Sequence, residues 1–350
     1  MPKLLSSLLN WLRPSPQPRA GSARGQRPSP PALPAAAAKV SGALPTAFGR
    51  FTVQQEVGRG AMGAVYRGVD TASGQPVAVK TLALQAGASP SDTRRDHGED
   101  PRQRFFREAK TVARLQHPDI VSVVGSGEQG GVAYIAMEFV TGKDLYWYAH
   151  PARLLPLGQV LAIGARVADA LAYAHTQGVV HRDVKPANIM VDLERGVVKV
   201  TDFGVARLAD SSRTLSGVVL GTPAFMSPEQ LAGARADGRS DVYSLGVVLF
   251  NLLTGQLPHP ARAMAKLMFQ IANQPPPDVR QFRPEVPAAL ADIVTLALEK
   301  RPEVRYGSAA ELAADLREVA SQMPPDPVVS SPPVGATPPH GALAGPAGAN

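Results

Sequence analysis

His181-Arg182-Asp183-Val184-Lys185-Pro186-Ala187-Asn188, followed by Asp202-Phe203-Gly204, joins one base-type carboxylate, two candidate metal donors and a lysine within a short span. Transfer of a phosphoryl group from ATP needs that set, because the protein supplies positioning and charge neutralisation rather than a covalent nucleophile. Asp183 suits proton acceptance from a substrate hydroxyl. Asn188 and Asp202 suit Mg²⁺, with Mn²⁺ an alternative, and Lys185 suits neutralisation of the transferring group. Either fragment alone would be a turn or a surface ion pair; the two together, separated by a strand-like run from Gly196 to Val200, have the order and spacing of a phosphotransferase core.

Such a core needs a phosphate-binding loop upstream. Val57-Gly58-Arg59-Gly60-Ala61-Met62-Gly63-Ala64-Val65 reads G-x-G-x-x-G-x-V between two strand-like runs, Phe51 to Val57 and Ala64 to Val69. Dinucleotide-binding folds share the glycine spacing, but there the loop opens a helix, whereas here it runs into a second strand. Val77-Ala78-Val79-Lys80 alternates as a strand and ends in lysine, which suits contact with the α- and β-phosphates. Glu108, in the amphipathic segment Phe105 to Leu115, is the candidate ion-pair partner of Lys80; read by itself it would be a solvated helix face.

With these motifs in order, the chain resembles the eukaryotic-type protein kinase family, and more narrowly the bacterial Hanks-type serine/threonine kinases, over about residues 51 to 320. The resemblance implies an α+β, two-lobed fold. The small lobe, about residues 51–140, would have an antiparallel sheet and one key helix; the larger, about 141–320, would be mostly helical. It implies ATP under Gly58 to Val65, with Lys80 on its phosphates and paired to Glu108, and Asp183 as catalytic base. Met137 would guard the back of the adenine pocket, the backbone of Glu138, Phe139 and Val140 would hold adenine, Val65 and Ala78 would cover it, and Asp144 would reach the ribose.

Lys185, two residues after Asp183, matches serine/threonine rather than tyrosine kinases. Gly221 to Gln230 resembles the family's peptide-docking loop, which favours a protein substrate over a small-molecule acceptor. Arg182 beside Asp183 implies a phosphorylated partner in the activation segment, because an arginine–phosphate pair orders such a loop. Thr214 and Ser216 are the candidates, with transient self-association for autophosphorylation. By position, Thr222 would hydrogen-bond Asp183 and Lys185.

In the second lobe, Val160 to His175 has helical spacing and Asp241 to Leu253 is apolar enough for a buried helix. The resemblance gives Asp241 the task of anchoring the backbone around Asp183, and pairs Arg305 with Glu229. A pseudokinase scaffold is the competing class; the presence of Lys80, Glu108, Asp183, Asn188 and Asp202 argues against it.

Charge and composition frame the rest. The chain has 350 residues and a net charge of +7. Residues 1–50 carry seven bases and no acid, so the remainder is neutral overall. These bases are scattered among prolines without interleaved aromatics, which does not suggest nucleic-acid binding. Residues 14–50 read as a Pro/Ala-rich tether and 323–350 as a Pro/Ala/Gly-rich tail. In residues 1–13, Leu4, Leu5, Leu8, Leu9 and Leu12 share one helical face beside Trp11. Contact with the inner membrane surface is one reading of that leader, a partner-docking or unstructured segment the other. No run is long enough to span a bilayer, the seven histidines lack metal-binding spacing, and there is no cysteine, so a cytoplasmic protein is expected. Residues 85–101 form a long polar connection ahead of Glu108, expected to tune how that residue's helix moves.

Overall fold

The computed structural model describes residues 44–60, 63–83, 101–203, 223–261 and 263–323, without the side chains of Ala83, residues 101–104 and Glu108. Strands β1 (Ala47–Phe48), β2 (Phe51–Gly60), β3 (Gly63–Asp70), β4 (Pro76–Ala83), β5 (Val123–Gln129) and β6 (Val132–Glu138) form one antiparallel sheet in the order β1-β2-β3-β4-β6-β5. Its two faces follow from the period-2 alternation of side chains. On β6, Tyr134 and Ala136 join Phe48, Phe51, Tyr66 and Val79 on one face. Ala133 and Ile135 join Phe105 and Ala109 of helix α1 (Pro101–Val112) on the other. Lys80 sits opposite Ile135 in the register, so the alternation that buries Val79 away from α1 turns Lys80 towards it.

The expected tether is too long at its C-terminal end. Phe48 is only 6% exposed and stacks between Tyr66 and Tyr134, a burial that stabilises by about 2–3 kcal/mol. Gln129 fixes this segment by accepting the Gly49 N–H at 2.8 Å, and Arg50 donates to the Val124 carbonyl at 3.2 Å. Ordered structure therefore starts before residue 51, and periodicity missed it because two residues carry no repeat.

Strand β7 (Lys143–Asp144) pairs with the hairpin β8 (Ile189–Asp192) and β9 (Val197–Val200). Helices α2 (Leu157–Thr176), α3 (Pro228–Leu231), α4 (Gly238–Thr254), α5 (Met264–Asn273), α6 (Ala288–Ala297) and α7 (Ala309–Gln322) make up the second lobe. Every residue of α4 from Ser240 to Thr254 is buried, as its all-round apolar sequence requires. Asp237 caps its first turn, and Gly255 ends it at φ +70. The segment after α1 is sewn to β9: Val121 N–H donates to the Val200 carbonyl at 3.0 Å, and Val200 N–H to the Asp119 carbonyl at 2.8 Å. Arg166 of α2 adds an ion pair to Asp119.

The strand and helix runs expected from the sequence appear with longer bounds, except that β9 starts at Val197 rather than Gly196 and α1 starts at Pro101 and stops at Val112 rather than reaching Leu115. The leader, most of the tether, the connection up to residue 100, Ala61, Met62, Thr214, Ser216, Thr222 and the tail beyond Met323 lie outside the described residues. Among the described residues no helix is long and apolar enough to cross a membrane.

Candidate active site

Helix α2 delivers the chain into the loop carrying His181, Arg182 and Asp183. A non-glycine residue at positive φ is uncommon, and two lie here: Arg182 at φ +65 and Asp202 at φ +64. Buried hydrogen bonds hold Arg182 in that conformation. Asp241, fully buried at the start of α4, accepts the N–H of His181 at 2.8 Å and that of Arg182 at 2.7 Å. Its Oδ2 also lies 2.8 Å from Nε2 of His175, and Gln230 Nε2 donates to the Arg182 carbonyl at 2.9 Å. The sequence pointed to Asp241 but not to His175 or Gln230, since no motif links residues so far apart.

Asp183 is only partly exposed and its carboxylate is shared. Oδ2 accepts Lys185 Nζ at 2.7 Å and Asn188 Nδ2 at 3.0 Å. The same Asn188 nitrogen donates to the Asp183 carbonyl at 2.8 Å, which turns the amide oxygen the other way. Pro186 starts the single 3-10 turn that sets Asn188 back towards Asp183. Thr201 N–H then donates to the Asn188 carbonyl at 2.9 Å, so Asp202 follows directly on a residue bonded to Asn188. His181 fixes the same junction, with Nε2 2.8 Å from the Thr201 carbonyl and its ring 4.5 Å from that of Phe203. The hairpin β8–β9 thus has Asn188 before its first strand and Asp202 after its second, and brings the two together.

Across the cleft, Lys80 Nζ is ion-paired with Asp202 Oδ2 at 2.7 Å. Both residues line a small opening with Met137, Val112, Val121 and Phe203. The expected Lys80–Glu108 pair rests on a side chain outside the described residues, although Glu108 itself is on α1. Val65 is opposite Lys80 and Ala78 is opposite Met137. The three loop glycines differ. A Cβ at Gly63 would lie 1.8 Å from the Thr81 carbonyl oxygen, so backbone packing demands glycine there. Among the described residues a Cβ at Gly58 or Gly60 would meet nothing within 4 Å, and neither has positive φ, so packing there does not demand glycine. Val57 is exposed, and Arg59 pairs with Glu56.

Glu138 closes β6, with Phe139 and Val140 following; the Phe139 N–H donates to the Pro76 carbonyl at 3.4 Å. Asp144 is engaged locally: its Oδ1 accepts Trp147 N–H at 3.2 Å and caps a 3-10 turn. Arg305 meets Glu229 through two bonds, at 2.7 and 2.8 Å. Asn188 and Asp202 offer hard oxygen donors suited to Mg²⁺, and two protein donors suffice for an ion whose other ligands are phosphate and water. Among the described residues there is no group of three or more acidic or histidine side chains that could hold a metal alone.

Comparison with known proteins agrees with this geometry. The chain is 40% identical over 268 residues to the serine/threonine-protein kinase Pkn1 of Myxococcus xanthus, covering 75% of this chain and 37% of that protein. It is 40% identical over 283 residues to PknB of Mycobacterium leprae, covering 79% and 44%, and 36% identical over 272 residues to PrkC of Bacillus subtilis, covering 77% and 40%. The chain therefore spans less than half the length of these relatives. The crystal structure of Rad53 1-466 in complex with AMP-PNP superposes with a TM-score of 0.61 at 26% identity, covering 75% of this chain and 64% of that one. Residues 51–316 match the protein kinase domain, and with more than half its length in that match the chain belongs to the protein kinase family.

Proposed function

We propose that this protein transfers the γ-phosphoryl group of Mg-ATP to serine or threonine hydroxyls of protein substrates. The observation that carries the reading is the pair of clusters Lys80–Asp202 and Asp183–Lys185–Asn188, each held by bonds of 2.7 to 3.0 Å and joined through the Thr201 N–H on the Asn188 carbonyl. Relatives that share the domain are serine/threonine-protein kinases by name, and the Rad53 structure holds an ATP analogue in the same fold.

In this reading the substrate hydroxyl loses its proton to Asp183 as its oxygen bonds to the γ-phosphorus, and the bond from that phosphorus to the β–γ bridging oxygen breaks to release ADP. Lys185, already against Asp183, neutralises charge on the moving group, and Lys80 holds the α- and β-phosphates. Asn188 and Asp202 would hold Mg²⁺, which supplies charge neutralisation on the phosphates when bound. Open space at Gly58 and Gly60 supports close backbone approach to phosphate. Met137, Val65 and Ala78 bound the adenine side, with the Glu138 and Val140 backbone as its hydrogen-bonding edge and Asp144 near the ribose. Thr222 steadies Asp183 and Lys185, Glu108 pairs with Lys80 in the active state, and Thr214 and Ser216 are autophosphorylation sites reached by transient self-association. The same reading sets a cytoplasmic catalytic domain between an N-terminal arm and a Pro-rich tail.

Phosphate transfer by wild type and Asp183→Asn, with product sites mapped by mass spectrometry, tests the proposal. Incorporation on Ser/Thr by wild type alone is the expected result. Equal silence from both, with Mg-ATP binding intact, would overturn it in favour of a scaffold.

A further inference from the structure

One hairpin grips the segment that joins the lobes at both its ends. At the first end, Lys199 of β9 reaches Glu138: its Nζ lies 2.7 Å from Oε1. That same oxygen accepts Ser122 N–H at 2.9 Å, while Glu138 N–H donates back to the Ser122 carbonyl at 2.9 Å. Lys199 is only 17% exposed and Glu138 34%, so the pair is partly shielded from water and is stronger than an exposed one. At the second end, Thr141 Oγ1 donates to Asp192 Oδ2 at 3.1 Å and accepts Arg195 Nη1 at 3.0 Å. Gly142 follows at φ +112, where a Cβ would lie 2.1 Å from the Val191 carbonyl oxygen. Lys199, Asp192 and Val191 all belong to the hairpin β8–β9, which Asn188 precedes and Asp202 follows.

We propose that Lys199 and Glu138 are positioning residues of the nucleotide site: their ion pair sets the distance between the adenine-holding segment and the two metal donors carried by the hairpin. This rests on the reading of the cleft as a Mg-ATP site. A bound nucleotide spans that distance, with its base on one side of the pair and its phosphates on the other. If the pair is broken, Glu138 keeps its β6 position while the hairpin gains freedom, and nucleotide binding must restore the alignment at its own expense. Neither side chain touches the reacting atoms. The loss therefore falls mainly on affinity rather than on the transfer step.

A double-mutant cycle on the full chain tests this, using Lys199→Met, Glu138→Gln and the double variant. Gln at 138 keeps an acceptor for Ser122 N–H while removing the charge. The readouts are Kd for Mg-AMP-PNP by calorimetry, KM(ATP) and kcat, with thermal unfolding as a folding check. Each single variant should raise Kd and KM about three- to tenfold with a smaller change in kcat, and the double variant should match a single one. Unchanged Kd in folded variants, additive losses, or a fall confined to kcat would overturn the proposal. Failure of wild type itself to bind the nucleotide would refute the Mg-ATP reading instead, which keeps the two failures apart.

Discussion

Asp241 holds Arg182 in a left-handed conformation by accepting its N–H at 2.7 Å from inside the C-terminal core. The cost of that backbone, about 1–2 kcal/mol, is offset by a carboxylate that also takes the His181 N–H and lies against His175. Asp241→Asn replaces one acceptor oxygen with a donor that faces another N–H. It should lower stability by about 2–4 kcal/mol and kcat by at least about tenfold, since Asp183 follows Arg182 directly. Because the nucleotide contacts lie elsewhere, KM(ATP) should stay within about twofold. Thermal unfolding with steady-state kinetics checks this, and an unchanged kcat would refute the anchoring role.

The Glu229–Arg305 pair is also held inside this lobe, with the Arg305 side chain fully buried and Glu229 12% exposed. Burial pushes the Glu229 carboxyl up, but hydrogen bonds from Arg305 and Ser240 outweigh it and hold it below the usual 4.5. A depressed carboxyl contributes stability that is present above its unfolded value and is lost as pH falls through its folded value. Glu229→Gln should therefore be less stable than wild type by about 3 kcal/mol at pH 7, and that gap should close as pH drops below about 4.5. Chemical denaturation of both proteins from pH 7 to pH 3.5 measures it; a gap independent of pH would contradict the assignment.

Two glycines of one loop should respond in opposite ways. Gly63→Ala drives a methyl group into the Thr81 carbonyl, so it should lower Tm by several degrees, equivalent to about 2 kcal/mol or more. Gly58→Ala meets no atom within 4 Å among the described residues and should leave Tm within about a degree while raising KM(ATP) about three- to tenfold. Differential scanning fluorimetry and ATP titration of the two variants separate them. A Tm loss at Gly58 would mean that packing, not ligand approach, demands glycine there.

What the sequence made legible was chemistry held within a few residues. Asp183, Lys185 and Asn188 lie inside one motif, and the structure needs only one 3-10 turn to bring their polar atoms together. Lys80 was readable because alternation from Val77 fixes which face it takes. Contacts between distant segments left no such mark: His175 meets Asp241 across 66 positions, and Lys199 meets Glu138 across 61. A lysine in a strand and a glutamate at a strand end look like solvated charges until the fold brings them together. Phe48 was hidden for a related reason, since its burial depends on Tyr66 and Tyr134 from other strands. The sequence also does not show that Asp144, the candidate for the ribose, caps the turn that follows it.

His259 and Lys300 give a pH signature that neither residue would show at the surface. Nζ of Lys300 lies 3.1 Å from Nε2 of His259, and the lysine also faces the Tyr243 ring at 5.8 Å. Burial, then the charge of Arg305, pulls Lys300 down to about 8; burial, then Lys300, pulls His259 down to about 4. For a base held below its usual value, the unfolded chain keeps a proton that the native protein has released, so stability rises with pH across that interval. Lys300 should therefore add a rising limb between about pH 8 and 10.5, and His259 one between about 4 and 6.5. The Lys300 limb amounts to roughly 3 kcal/mol. Lys300→Met should flatten the alkaline limb and His259→Leu the acid one, each read as the difference from wild type in urea midpoints across pH. Parallel curves for wild type and Lys300→Met between pH 8 and 10 would show that the ammonium reaches water in the native state, and that the pair is not shielded as its burial implies.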